Sequence, residues 1–211
     1  MLTIHADDVW LTADDDSLVQ FKQQLSELLT IRWEYELGNA WNPFLGSEWR
    51  RPAVTTIQQR SKAVHVTNIL ESMNVEQSKG VNTPEWSTQM EHQLPSLLDE
   101  PRAFQYASCT GSFQWIALMR SDLQFTAKEL ARKLSNPTAV DWSRLKKAAR
   151  YLKKTRNWSL TLHYNSEAPM CIIVYCDASW SGPGGKSTTG FAIWLQDVLI
   201  HTASKTQAVI A

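Results

Sequence analysis

Near Met170 the spacing of apolar residues switches from a helical to an extended period, and that switch commits the chain to a mixed architecture. Upstream, Leu123, Ala127, Leu130 and Leu134 follow Asp122 at helical spacing, and Trp142, Leu145, Ala149 and Leu152 follow Asp141. Asn136-Pro137 stops the first helix, and Asp141 is placed to cap the second, which runs from Trp142 to about Lys154. Downstream, Cys171-Ile172-Ile173-Val174-Tyr175-Cys176 is apolar throughout, which predicts a central strand covered on both faces. Phe191 to Leu195 and Val198 to Thr202, separated by Gln196-Asp197, predict a hairpin.

The first half reads less regularly. Leu2 to Leu11 places short apolar segments on both sides of Asp7-Asp8 and predicts a hairpin with the acidic pair near its tip. Asp14, Asp15, Asp16 and Ser17 supply capping groups for a helix whose inward positions are Leu18, Phe21, Leu25, Leu28 and Leu29. Phe44 to Trp49 and Ala53 to Ile57 form a second expected strand pair. A helix from about Arg60 to Met73 follows, with Ala63, Val66, Ile69, Leu70 and Met73 inward. Residues 76 to 105 are polar, carry Pro84, Pro95 and Pro101, and are expected to be a linker or surface loop.

With 211 residues and 43% hydrophobic side chains, the chain can bury one large core or two small ones. Lys+Arg and Asp+Glu both number 21, so net charge carries no information about partners, but its distribution does. Residues 1 to 50 hold 9 acidic and 3 basic side chains, whereas residues 101 to 160 hold 3 acidic and 12 basic. An acidic end beside a basic segment points to metal at one place and phosphate at another. Cys109, Cys171 and Cys176 form no CxxC pair and no complete disulfide framework, which favours an intracellular compartment, cytoplasm or nucleus. No segment has the composition of an export signal or a membrane span.

Three features carry candidate chemistry. Adjacent carboxylates point to opposite faces of a flat strand, so Asp7 and Asp8 can converge on metal only at a tight turn. Nucleotide polymerases need such hard oxygen ligands to hold two Mg²⁺ ions about 3.5 to 4 Å apart; the competing role for such a pair is a turn or cap. On the basic helix, Lys147, Arg150 and Lys154 lie opposite the apolar stripe, with Arg144 beside them and no acid from there to Arg156. That leaves one face to pack and one free face for phosphate, or for solubility alone. Asp177 directly follows the apolar strand, where a lone Asp is ordinarily a turn residue. The tract Gly182-Pro183-Gly184-Gly185-Lys186-Ser187 ends like a phosphate-binding loop, but Trp180 stands where that loop requires Gly.

In order along the chain, these segments resemble the Copia-like retrotransposon reverse transcriptases. His5-Ala6-Asp7-Asp8 stands where that family usually has Tyr-Val-Asp-Asp, and Phe44-Leu45-Gly46 and Asn82-Thr83-Pro84 are similar to its Phe-Leu-Gly and Thr-Pro segments. Tyr106, Gly111-Ser112-Phe113 and Arg120-Ser121-Asp122-Leu123 correspond to its Tyr, Gly-Ser-Leu and Arg-Pro-Asp-Ile, with Ser121 for Pro. Ser135-Asn136-Pro137-Thr138 matches, and Arg150-Tyr151-Leu152-Lys153-Lys154-Thr155 does so with Lys154 for Gly. Tyr175 to Trp180 and Lys186-Ser187-Thr188-Thr189-Gly190 resemble the opening of the family's ribonuclease H.

The resemblance implies an α+β fold in three parts: residues 1–57 as the end of a polymerase palm, 58–165 as a helical thumb or connection, and 166–211 as the first three strands of a ribonuclease H-like sheet. It raises Asp7, Asp8 and Asp177 to expected catalytic metal ligands for Mg²⁺, with both two-metal sites completed only by residues outside the chain. Arg144, Lys147, Arg150 and Lys154 remain the nucleic-acid contacts expected from the helix face itself; the resemblance implies template-primer and RNA–DNA hybrid as that nucleic acid and the rest of a Pol polyprotein as partner, with no membrane. The rival readings are a nucleic-acid-binding module without catalysis, as a remnant or host-adopted piece, and an unrelated small hydrolase built on Asp177.

Overall fold

A computed structural model of the protein describes residues 2–6, 8–86, 96–165, 167, 169–180 and 186–208. Among these, the architecture is α+β, with five α-helices and three antiparallel sheets. None of the helices is long and apolar enough to cross a membrane.

The core is helical and is centred on α3 (Glu100–Ala117). Asp99 caps it by accepting the Arg102 N–H at 3.1 Å, and Pro101 sits in its first turn, where a missing N–H has no helical partner to lose. The expected loop therefore ends before residue 100, and this helix is the element that periodicity does not reveal. Its inward residues Tyr106, Cys109, Thr110, Phe113 and Ile116 keep helical spacing, but two are polar or small, while Phe104, Trp115 and Leu118 make the outer face apolar too. The contrast between faces on which a helical reading depends is thereby lost.

Around α3 pack α2 (Ala63–Ser72), α4 (Gln124–Ala131) and α5 (Ala139–Lys154). Val66, Ile69, Leu70 and Met73 are inward as expected, joined by Leu123, Leu130, Leu145, Ala149 and Leu152. Each large apolar side chain buried this way contributes roughly 1.5 to 3 kcal/mol. Several boundaries differ from expectation. α2 starts at Ala63 because residues through Ser61 are strand, and Ala63 itself is exposed. α4 ends at Ala131, and single turns carry the chain past a largely exposed Leu134. Thr138, not Asp141, is the N-cap of α5: Thr138 Oγ1 accepts the Asp141 N–H at 3.3 Å, and Asp141 Oδ2 accepts the Thr138 N–H at 3.0 Å. Asp141 is the reciprocal member of a capping box.

β1 (Leu2–His5) and β2 (Asp8–Leu11) form the first hairpin. Trp10 lays that hairpin on the next sheet, with its ring 5.0 Å from Phe44 and 5.3 Å from Trp49 in edge-to-face contact. α1 (Asp15–Leu28) is capped by Asp14, which accepts the Ser17 N–H at 2.9 Å. Leu18, Phe21 and Leu25 are half-buried, but Leu28 and Leu29 are exposed, and no residue of α1 is fully buried.

The second sheet runs β3 (Asn42–Phe44), β4 (Ser47–Ala53), β5 (Thr56–Ser61) and β6 (Leu160–His163). The expected continuous strand Phe44 to Trp49 is broken by a turn at Leu45 and Gly46, both with positive φ (45° and 74°). Two such residues match the twist of a tight hairpin. β6 arrives from beyond α5 to pair with β5, Thr56 opposite His163, and forms the last strand of the sheet.

The third sheet has the order β7 (Ile172–Ser179), β8 (Thr188–Leu195), β9 (Val198–Thr206). The β8–β9 hairpin forms with Gln196-Asp197 as its turn. The expectation of a central, doubly covered Cys171–Cys176 strand is overturned: β8 is central, and β7 is an edge strand exposed along its whole length. α4 covers the opposite side of the sheet, where Lys128 Nζ donates to Thr188 Oγ1 at 2.7 Å and Gln124 Nε2 to the Thr202 carbonyl at 3.2 Å. No described residue packs over β7 in the same way.

Candidate metal and nucleic-acid sites

The β1–β2 hairpin presents its acidic end to solvent. Asp8 opens β2 directly opposite His5, beside the turn, and its side chain is exposed. Asp7 lies outside the described residues. Ala6 holds the turn at φ 53°, a left-handed conformation that costs a non-glycine residue roughly 1 to 2 kcal/mol.

Asp177 does not follow its strand, as the apolar run had led one to expect, but lies within β7, paired with Gly190. The strand simply continues to Ser179, since the pairing with β8 runs unbroken through Ser179 opposite Thr188. The Asp177 carboxylate is exposed and accepts the N–H of Ala178 at 2.8 Å. The glycine-rich residues 182–185 lie outside the described residues. Among the described residues, no three His, Cys, Asp or Glu side chains converge as a metal would require.

On α5 the apolar stripe packs as expected, with Leu145, Ala149 and Leu152 buried and Trp142 against the core. The opposite face is not free. Residues 78–86 run across it: Lys153 Nζ donates to the Ser78 carbonyl and Arg150 Nε to the Lys79 carbonyl, each at 2.7 Å. Lys154 donates to the Asn82 side chain, and the Arg144 guanidinium lies 5.1 Å from the Trp86 ring while bonding Asp141 at 3.0 Å. Lys147 alone of the four expected contacts has no hydrogen bond or ion pair among the described residues. Distant residues take up Arg150 and Lys154, which no local pattern on the helix announces, whereas Arg144 is paired within α5 by Asp141 three residues before it.

The remaining motif residues meet each other rather than a ligand. Arg120 donates to Asp122 through Nε (2.8 Å) and Nη2 (2.7 Å), and to Thr155 through Nη1 to its carbonyl (3.0 Å) and Nη2 to its hydroxyl (2.8 Å). Tyr151 donates its hydroxyl to Asp122 at 2.7 Å. Burial raises the Asp122 pKa, but the hydrogen bond and charge of Arg120 and the Tyr151 hydroxyl outweigh it and leave the carboxyl below its ordinary value. Burial, then the Asp122 bond and charge, push Tyr151 up to about 12. Ser121, where the family has Pro, opens a 3₁₀ turn (Ser121–Leu123), a position where proline's fixed φ is tolerated. Tyr106 donates to the Leu130 carbonyl at 2.8 Å inside the core, and burial followed by the charge of Asp141 pushes its pKa up.

The chain that carries this hairpin, basic helix and Asp-bearing strand is similar over nearly its whole length to retrotransposon Pol polyproteins. It is 28% identical over 210 residues to the retrovirus-related Pol polyprotein from transposon RE2 of Arabidopsis thaliana, and 27% identical over 210 residues to that from transposon RE1. Both alignments cover 98% of this chain but 14% of the relative's length. An uncharacterized mitochondrial protein of Arabidopsis thaliana is 26% identical over 220 residues, covering 100% of this chain and 85% of that protein. The Pol resemblance read from the motifs is therefore the one that whole-chain similarity supports. No family model matches the chain, and no solved structure does.

Proposed function

We propose that the chain is a segment of an RNA-directed DNA polymerase with ribonuclease H, and that it acts on template-primer and RNA–DNA hybrid within an intracellular Pol polyprotein. The observation that carries this reading is collinear similarity to two Pol polyproteins over 98% of the chain. In this reading residues 1–57 close the palm, 58–165 form the thumb or connection, and 166–211 open the ribonuclease H. Asp7 and Asp8 each supply one carboxylate to a polymerase Mg²⁺ site, and Asp177 supplies one to a hydrolase site. The described residues alone do not make either set, so further donors must meet them.

The test places this segment in a retrotransposon Pol polyprotein in place of its homologous stretch. Asp8→Asn is expected to abolish RNA-templated DNA synthesis and spare hybrid cleavage, and Asp177→Asn to do the reverse. An active chimera in which both variants keep both activities would favour the second reading, a nucleic-acid-binding module without catalysis. The cationic surface of α5 is the feature that supports that reading.

A further inference from the structure

The strap formed by residues 78–86 sits where the proposed function needs phosphate to sit. It meets α5 through acceptors: the carbonyls of Ser78 and Lys79 for Lys153 and Arg150, and the Asn82 side chain for Lys154. All three cations are held by neutral oxygens. A phosphate oxygen adds a full opposite charge where these acceptors offer only a dipole, and its neutralisation releases condensed counterions, so a phosphate backbone is a better partner for the same donors. Val81 and Trp86 rest against the helical core and keep the strap at hand, and Thr83 Oγ1 stiffens it by accepting the Glu85 N–H at 3.2 Å. At its closest approach the strap uses Gly80, where an added Cβ would lie 2.9 Å from the Cβ of Lys154.

We infer that residues 78–86 are an internal competitor for nucleic acid on α5: the strap occupies Arg150, Lys153 and Lys154 in the free chain and yields them when a phosphate backbone binds. The inference rests on the reading of α5 as a nucleic-acid surface. Apparent affinity is then reduced by the fraction of molecules in which the strap is closed, and anything that opens the strap tightens binding without adding a contact. Lys147, half-buried but without a hydrogen bond or ion pair among the described residues, is the point of first encounter.

The experiment measures binding of the full chain to a duplex DNA by fluorescence anisotropy across a salt series, with hydrogen exchange of residues 78–86 followed in the same samples. Gly80→Val, which forces the strap off Lys154, is expected to tighten binding about tenfold, on the premise that it raises the open fraction by that factor. The slope of log affinity against log salt should stay unchanged, because bound molecules make the same phosphate contacts in either variant. Asn82→Ala, which removes only the Lys154 acceptor and disturbs folding least, should act in the same direction more weakly. In the wild-type chain, added DNA should speed exchange in the strap. If Lys147→Ala, which removes no hydrogen bond or ion pair to the strap, weakens binding and flattens the salt slope while Gly80→Val and Asn82→Ala leave binding unchanged and DNA leaves strap exchange unchanged, the strap is structural and the inference falls, with α5 still the nucleic-acid surface. If Lys147→Ala binds as wild type does with the same salt slope, the reading of α5 fails and takes the strap with it.

Discussion

Removing the Asp122 carboxylate should show what the Arg120 cluster does. Arg120 is almost wholly enclosed, its side chain 7% exposed, whereas that of Asp122 is 30% exposed. Asp122→Asn keeps the shape and one acceptor but leaves a buried guanidinium with only Thr155 and the Trp158 ring, 5.4 Å away, as strong partners. Breaking a fully buried ion pair costs roughly 3 to 5 kcal/mol and an exposed pair is worth about 0 to 1, so the intermediate burial of Asp122 sets the cost at about 2 to 3 kcal/mol. At roughly 2 to 4 °C per kcal/mol for a chain of this size, the midpoint of thermal unfolding followed by circular dichroism at pH 7 should fall by about 4 to 12 °C. The pH dependence supplies a control. A carboxyl whose folded pKa is lowered contributes stability above its unfolded pKa, 3.8, and loses it as pH falls through the folded value. The gap between wild type and Asp122→Asn should therefore be full at pH 7 and close progressively below pH 3.8. A gap under about 2 °C at pH 7, on the same scale, or one that persists unchanged in acid, would refute the account of Asp122 as the partner that neutralises Arg120.

At the alkaline end, Tyr151, with its pKa pushed up to about 12, contributes stability that is complete below pH 10 and lost as pH rises through 12; Tyr151→Phe should flatten that decline in a urea-unfolding series. Gly46→Ala meets both a positive φ and the Trp115 ring, and should cost about 2 kcal/mol or more, part of it recovered in a Trp115→Ala background. Ala6→Gly should stabilise the chain by up to about 1 kcal/mol, read from its urea midpoint, and no gain would mean that the turn relaxes without strain. Val174→Lys should leave stability within about 0.5 kcal/mol and raise the concentration at which the chain stays monodisperse, because β7 is an exposed apolar edge; a loss above about 1 kcal/mol would restore the covered strand expected from sequence.

The parts of the fold legible in the sequence are those where one local rule suffices. α1 begins where Asp14 caps it, the apolar residues of α5 fall on one side, and the β8–β9 hairpin turns at Gln196-Asp197. The illegible parts depend on partners far along the chain. β7 reads as a buried strand because Ile172 to Tyr175 are apolar, yet neighbour order, not composition, decides which strand is central, and here β8 takes both pairings. The basic face of α5 reads as free because no acid lies between Arg144 and Arg156. Its partners are neutral carbonyls some seventy residues upstream, Arg150 to Lys79 and Lys153 to Ser78.

The same distinction separates how this chain is recognised from how it would act. Several motif residues that carry the resemblance to Pol are joints of the fold: Gly46 lets the β3–β4 turn meet Trp115, Thr138 caps α5, and Arg120, Asp122, Tyr151 and Thr155 bind one another. Such residues tolerate little change because each satisfies a backbone turn, a helix end or a buried charge, and an unsatisfied group of that kind costs about 1 to 3 kcal/mol or more. Asp8 and Asp177 are the opposite case, exposed side chains with little to hold in the described structure. A carboxylate without a structural task can be replaced at small cost to stability. Asp8→Asn and Asp177→Asn should therefore leave thermal unfolding near wild type while Asp122→Asn does not, and that contrast tests the acid assigned to architecture against the two proposed for chemistry. If the Asp177 or Asp8 variant lost as much stability as Asp122→Asn, its carboxylate would be a structural acid in its own right, and the proposed metal role would lose its physical basis.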